Sequence, residues 1–234
     1  MSEKKSKKIL AIDTTSAYQS IAIWNGKEIS SYVYSLLKSS HTETLLPTID
    51  YLLELSGING KDFDVIASVT GPGSFTGIRI GMSTAAGLAE AWQAETTGCN
   101  SLFLHCLQPN CSDGYICPVL DAKRGALYTA LFKKQSNTFQ QILPYSEVSI
   151  ENFLDFIKGI DKVNFIGSGI QYIMPLLKKM KQQNFDIVNG PLFPMAYLLA
   201  YVLGENKLEV YEEIYNFKAF YIRPPDAKPP KKIL

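Results

Sequence analysis

Two aspartates sit where chemistry is often done. Asp13 ends the apolar run Ile9-Leu10-Ala11-Ile12, and Asp121 ends Ile116-Cys117-Pro118-Val119-Leu120. A polar turn follows each, then a second apolar stretch that closes on an aromatic eleven residues after the acid, Trp24 in one case and Phe132 in the other. A carboxylate in this position caps the turn behind it by accepting backbone N–H groups. A glycine run, Gly71-Pro72-Gly73-Ser74-Phe75-Thr76-Gly77, follows an apolar strand pattern and opens a helical one. Amides at such a helix start can hold a phosphate, and glycines also allow a tight turn and close packing. Gly77, Gly81 and Ala85 recur every four residues, which makes one helix face nearly flat and open to a partner helix. No Gly-Lys-[Ser/Thr] ends the run, so it is not a P-loop, and the spacing weighs toward packing.

Metal and nucleophile chemistry find less material. The chain has two histidines, His41 and His105, with no His-x-x-x-His or His-Glu-x-x-His, so one helix face cannot supply two ligands. His105, Cys106, Cys111 and Cys117 cluster in sequence but without a Cys-x-x-Cys pair, a poor spacing for zinc. These cysteines are predicted to be small buried hydrophobes. Ser74 lacks the Gly-x-Ser-x-Gly elbow, and no base is placed to activate it.

The elements that must position these residues repeat. Strand, Asp, turn, strand and strand are followed in both halves by a helical stretch and then by a strand running into Gly-x-Gly and a helix. The first set is Ile9–Asp13, Ser20–Trp24, Glu28–Tyr34 and Asp64–Val69 before Gly71-Pro72-Gly73; the second is Ile116–Asp121, Tyr128–Phe132 and Lys162–Ile166 before Gly167-Ser168-Gly169. Asn25-Gly26 marks a tight hairpin. Helices are predicted from Ser40 to Ser56, with a Ser40/Glu43 capping box, a kink at Pro47 and Gly57 as C-cap. Others are predicted over 77–93, 170–180 and 194–203, before an extended, proline-rich tail from Lys218. Breakers near 105–115 divide two α/β lobes, 1–107 and 108–234.

Composition agrees. The 234 residues are 46% hydrophobic and 19% charged with a formal net charge of +1, which excludes disorder and the basic surplus of a dedicated nucleic-acid binder. Lysines gather locally (Lys4, Lys5, Lys7, Lys8; Lys178, Lys179, Lys181; Lys228, Lys231, Lys232) and read as solvated ends, so the chain alone is expected to bind nucleic acid weakly. The apolar run after Lys8 is too short for a signal peptide, and no later stretch approaches the ~20 residues of a membrane span. A soluble, reduced, cytoplasmic protein is predicted.

Duplicated strand–Asp–turn–strand lobes resemble the actin/hexokinase/Hsp70-like (ASKHA) superfamily, where two lobes face each other across a nucleotide cleft and the acids position metal-bound phosphates. A narrower resemblance rests on Ile9-Leu-Ala-Ile-Asp-Thr-Thr-Ser16, His41-Thr-Glu-Thr-Leu-Leu-Pro47, Gly71-Pro-Gly-Ser-Phe-Thr-Gly-Ile-Arg-Ile-Gly81 and Tyr221-Ile-Arg-Pro-Pro-Asp-Ala-Lys-Pro229. Together these resemble the TsaB (YeaZ) family, accessory subunits of the bacterial machinery that makes threonylcarbamoyladenosine in tRNA. Residues of about 100–210 match only in pattern.

That resemblance implies a pseudo-enzyme with no catalytic residue and no metal or cofactor of its own, ATP and metal residing on partner subunits. It implies direct binding to the transferase TsaD, TsaE in the same complex, tRNA as an indirect partner, and a homodimer when alone. Residues carried over to the TsaD interface are His41, Glu43, Leu46 and Ile49 on the first helix, and Phe75, Gly77, Arg79, Gly81, Met82 and Ala85 on the second. Asp13, Gly71, Gly73 and Ser74 are the candidate nucleotide contacts. Thr14 and Thr15 stand beside Asp13 where nucleotide-handling relatives have glycines, which favours a turn cap. The rival readings are a small ASKHA-type kinase or ATPase, and a metallopeptidase.

Overall fold

The computed structural model describes residues 6–38, 40–136, 138–179, 185–188, 192–205 and 217–223. Among these, the strands form two five-stranded sheets of one design. In the first, β1 (Ile9–Asp13), β2 (Tyr18–Trp24) and β3 (Ile29–Leu36) form an antiparallel meander. β4 (Val65–Gly71) and β5 (Glu95–Asn100) then extend it in parallel beyond β1, in the order β3-β2-β1-β4-β5. The second sheet, from β6 (Gly114–Asp121), β7 (Ala126–Gln135), β8 (Thr138–Ser149), β9 (Val163–Ile166) and β10 (Phe185–Ile187), runs β8-β7-β6-β9-β10. Position for position the orders match, and the duplication read from the two aspartates is real. β1 and β4 are buried along their whole length, as parallel strands covered on both faces must be.

The helices cover these sheets. α1 (His41–Ser56) is capped by the Ser40 hydroxyl, which accepts from the Thr42 amide, and ends on Gly57 at φ 65°. The anticipated capping box is not formed, because the Glu43 amide donates to the Ser40 carbonyl instead of its hydroxyl. α2 (Phe75–Trp92) starts two residues before the predicted Gly77, since Ser74 Oγ accepts from the Gly77 amide and caps a turn earlier. α3 (Ser101–Cys106) is capped by the Asn100 side chain; α4 (Phe153–Phe156) is one turn. α5 (Ile170–Leu177) is shorter than predicted, with Met180 outside the described residues, and α6 (Met195–Gly204) matches within a residue. Lys4, Lys5, Lys181 and the tail from Pro224 also lie outside the described residues. Among those described, no helix is long and apolar enough to cross a membrane.

The sheets separate near residue 107, but the helices cross over. α6 comes from the second half of the chain and packs on β1, β2 and β4 of the first sheet, while α3 packs on β6 and β7 of the second. One central core results, joining Ala11, Trp24 and Val69 from one sheet, Phe132 and Ile166 from the other, and Phe103 and Leu199 from the helices between. Phe103 is 1% exposed and meets Phe132 and Phe139 at ring separations of 5.6 and 5.4 Å. With both sheets closing on one core, thermal unfolding is expected to be a single transition. Phe103→Ala should lower stability by about 3–5 kcal/mol, with both lobes melting together by calorimetry. Two separated transitions in the variant or the parent would show that the lobes fold independently.

Candidate functional site

The two aspartates form the same local structure. Asp13 is 4% exposed, and its Oδ1 accepts from the Thr15 amide (2.9 Å) and the Thr15 hydroxyl (2.7 Å). Asp121 Oδ1 accepts from the Lys123 amide two residues on (2.8 Å), and its Oδ2 accepts from Lys123 Nζ (2.7 Å) and the Tyr172 hydroxyl (3.2 Å). Both carboxylates thus close Asx-type turns. Their environments differ. Burial pushes the Asp13 carboxyl above its ordinary value despite the two Thr15 hydrogen bonds. Partial burial also acts to raise Asp121, but the Lys123 and Tyr172 bonds outweigh it and hold that carboxyl low.

The glycine run closes on the first of these turns. The Ser74 amide donates to the Thr15 carbonyl (2.7 Å), and Thr14 Oγ1 donates to the Gly77 carbonyl (2.7 Å). A Cβ at Gly73 would collide with the Thr15 carbonyl oxygen, one at Gly77 with that of Thr14, and one at Gly81 with Thr14 Oγ1. In the second lobe the helix start meets the strand instead of the turn, the Gly169 amide donating to the Val119 carbonyl (2.8 Å). The flat row Gly77, Gly81 and Ala85 therefore faces this chain's own first sheet and is buried, which corrects the reading of it as an open partner surface. Ile49, 2% exposed in the same core, is corrected likewise. Periodicity identifies a flat face but not which way it turns.

The other carried-over residues stay within reach of solvent. Glu43, Leu46 and Arg79 are exposed, and His41, Phe75 and Met82 are half-buried. His41 Nε2 donates to the Ser16 carbonyl (2.9 Å), which ties the start of α1 to the Asp13 turn, while its enclosed Nδ1 has no hydrogen-bond partner among the described residues. Arg79 stacks on the Phe75 ring at 3.9 Å and donates to the Tyr221 hydroxyl (3.4 Å). Leu46, Tyr51 and Leu55 are 55%, 58% and 63% exposed on α1. On the outer side of α2, Ser83, Ala86 and Gly87 are small and exposed, and a Cβ at Gly87 would meet nothing within 4 Å. Tyr51, Leu55, Ala86 and Gly87 escaped the sequence reading. The signal for them was the complement of the buried helical stripe.

The histidine–cysteine set does not assemble a metal centre. All four cysteines are buried, and burial pushes the Cys111 and Cys117 thiols up to about 11 and about 12, away from the thiolate that binds metal. His105 Nδ1 donates to the Ser101 carbonyl (2.7 Å), and burial holds its pKa low. Among the described residues, no three His, Cys, Asp or Glu side chains converge as a metal ion requires.

Paired sheets of order 3-2-1-4-5, each with an acid-capped turn beside a Gly-x-Gly helix start, define a duplicated α/β protein of the actin-like class. Known proteins narrow this. The family described as TsaD: tRNA N6-adenosine threonylcarbamoyltransferase matches residues 33–217. The tRNA threonylcarbamoyladenosine biosynthesis protein TsaB of Bacillus subtilis is 31% identical over 160 residues, covering 68% of this chain and 70% of that protein. Its Escherichia coli counterpart is 33% identical over 132 residues, 56% and 57% of the two chains. The solved structure of YeaZ from Pseudomonas aeruginosa superposes with a TM-score of 0.67 at 21% identity, covering 88% of this chain and 99% of that one. A second structure, described as an uncharacterized protein with similarity to peptidase YeaZ from Pseudomonas aeruginosa, gives 0.72 at 20% identity over 93% and 100%. The chain belongs to the TsaB (YeaZ) family, within the wider set that the TsaD family describes.

Two variants test the site. A leucine at Gly81 must displace Thr14, so Gly81→Leu should destabilise the isolated chain by at least about 1–3 kcal/mol, seen as a lower thermal midpoint; an unchanged midpoint would return the row to the surface. Asp13 has its native pKa raised above the ordinary 3.8. The stability it contributes is full below that value and is lost as pH rises through the higher native one. Asp13→Asn should therefore flatten the decline of the urea midpoint above pH 4; an identical pH profile in variant and parent would contradict the buried setting.

Proposed function

We propose that this chain serves in threonylcarbamoyladenosine modification of tRNA as a non-catalytic subunit, binding a TsaD-type transferase through the outer faces of α1 and α2. The observation that carries this is the use made of the Asp13 turn. Its carboxylate is engaged by Thr15, and Gly73 and Gly77 lie against the neighbouring carbonyls, so the acid and glycines of a phosphate site serve internal packing instead. The membership in the TsaB family supports the pathway. Leu46, Tyr51 and Leu55 keep large apolar side chains in water on one helix, a costly arrangement unless a partner covers them, and the small outer side of α2 admits a helix closely. The same surface serves a homodimer when the transferase is absent. ATP and metal belong to the partner subunits, and the setting is cytoplasmic.

The test is reconstitution with TsaD, TsaE and tRNA from the same genome. Leu46→Asp and Tyr51→Asp should each weaken TsaD binding by about tenfold or more, roughly 1.4 kcal/mol, without lowering the melting temperature of the lone chain. Asp13→Asn and Asp121→Asn should leave the modification rate within a few-fold of the parent. A loss of about 100-fold with the complex intact, roughly 2.7 kcal/mol of transition-state stabilisation, would assign the chain a catalytic role.

A further inference from the structure

The segment Phe217–Arg223 follows α6 in sequence, yet it runs between the lobes. The Phe220 amide donates to the Thr70 carbonyl at the C-terminal end of β4 (2.8 Å). The Phe220 carbonyl oxygen passes so near Gly71 that a Cβ there would lie 2.7 Å away, and Gly71 itself sits at φ 106°. Tyr221 packs against Phe75 with ring centroids 4.9 Å apart and planes tilted by 40°, and accepts the Arg79 hydrogen bond. Its neighbours hold the other lobe. Phe220 packs edge-on against Tyr145 of β8 at 5.1 Å, and Ile222 joins the small cluster of Leu102, Ala122, Ala126 and Tyr128. Arg223 reaches Glu147 of β8 with two nitrogens, Nε to Oε2 at 2.8 Å and Nη2 to Oε1, and Nη1 donates to the Ala122 carbonyl (3.4 Å).

From these contacts we infer that Phe220–Arg223 is a clasp that couples the second lobe to the partner-facing first turn of α2, so that affinity for the transferase depends on the Arg223–Glu147 pair. The inference rests on the function proposed above. Phe75 opens that turn, Arg79 stacks on it from one turn further on, and Tyr221 meets both. Tyr221 is held in place by flanking residues whose anchors are β4 on one side and β8 on the other. The ion pair is the strongest single anchor on the far side, because a bidentate guanidinium–carboxylate contact fixes both distance and orientation, and at 24% and 29% side-chain exposure it is only partly open to solvent. Releasing it frees Ile222 and Tyr221 in turn, and the first turn of α2 loses its brace.

Couplings between sites typically change affinity about 5- to 150-fold; a single half-buried pair belongs at the low end, about tenfold. Calorimetry with the TsaD of the same genome and hydrogen exchange at the Phe220 amide read the two ends of the clasp in the full-length chain. Arg223→Glu should weaken TsaD binding about tenfold and speed exchange at Phe220, and the swap Arg223→Glu/Glu147→Arg should restore both. Arg223→Lys, which keeps the charge but not the fork, replaces the reversal if that variant melts below the assay temperature, and should give the same effects in smaller measure. Faster exchange with undiminished affinity, or unchanged exchange, overturns the clasp while Leu46→Asp still weakens binding. If Leu46→Asp and Tyr51→Asp bind as the parent does, the partner face itself is misplaced and the clasp falls with it.

Discussion

The contact on which most of this molecule depends is the close approach of two backbones at the end of β1. The Thr14 and Thr15 carbonyls come so near to Gly73 and Gly77 that no side chain fits at either glycine. That approach is locked by the Ser74 amide on one side and the Thr14 hydroxyl on the other. With the turn and the helix start pinned together, α2 must lie across β1 and β4, and the row Gly77, Gly81 and Ala85 must face inward. The Asp13 turn then has to be tight, which its carboxylate achieves by accepting both Thr15 donors. The His41 bond to the Ser16 carbonyl brings α1 to the same point. Three elements are thus set by a few backbone contacts within one turn.

Much of this was legible in the residues. The duplication appeared as two acids at matching points of matching runs, because a strand-end Asx turn has a fixed spacing to the strand that follows. The hairpin at Asn25-Gly26, the Gly57 cap and the central strands were also clear, since turn chemistry and continuous burial both leave short-range marks. What the residues left open was direction in space. Gly77, Gly81 and Ala85 mark a flat face, and a flat face suits an internal sheet as well as a foreign helix; the deciding neighbours, Thr14 and Ser68, are distant in sequence. Ile49 was misplaced for the same reason. The crossing of α6 onto the first sheet was invisible, because Met195–Gly204 is apolar nearly all round and carries no preferred side. Edge strands such as β8 and β10, half-exposed and irregular in pattern, left little period to detect.

The two lobes use one device to different ends. In the first, the acid is buried and its carboxyl is pushed up by the loss of solvent while both Thr15 donors bond to it. In the second, Asp121 keeps its charge beside Lys123 and Tyr172 on a more open hairpin. That hairpin's last partner is the chain's own Arg223, which bonds to Ala122 just after the acid. The first turn is therefore closed within its own lobe, and the second, closed by Lys123, is also met by a segment from far along the chain. With both turns engaged by the chain's own residues, the two lobes meet through protein contacts. Their relative placement becomes a property of packing between α3, α6 and the clasp. The exposed faces of α1 and α2 therefore stand on helices whose starts are pinned to one turn by internal hydrogen bonds.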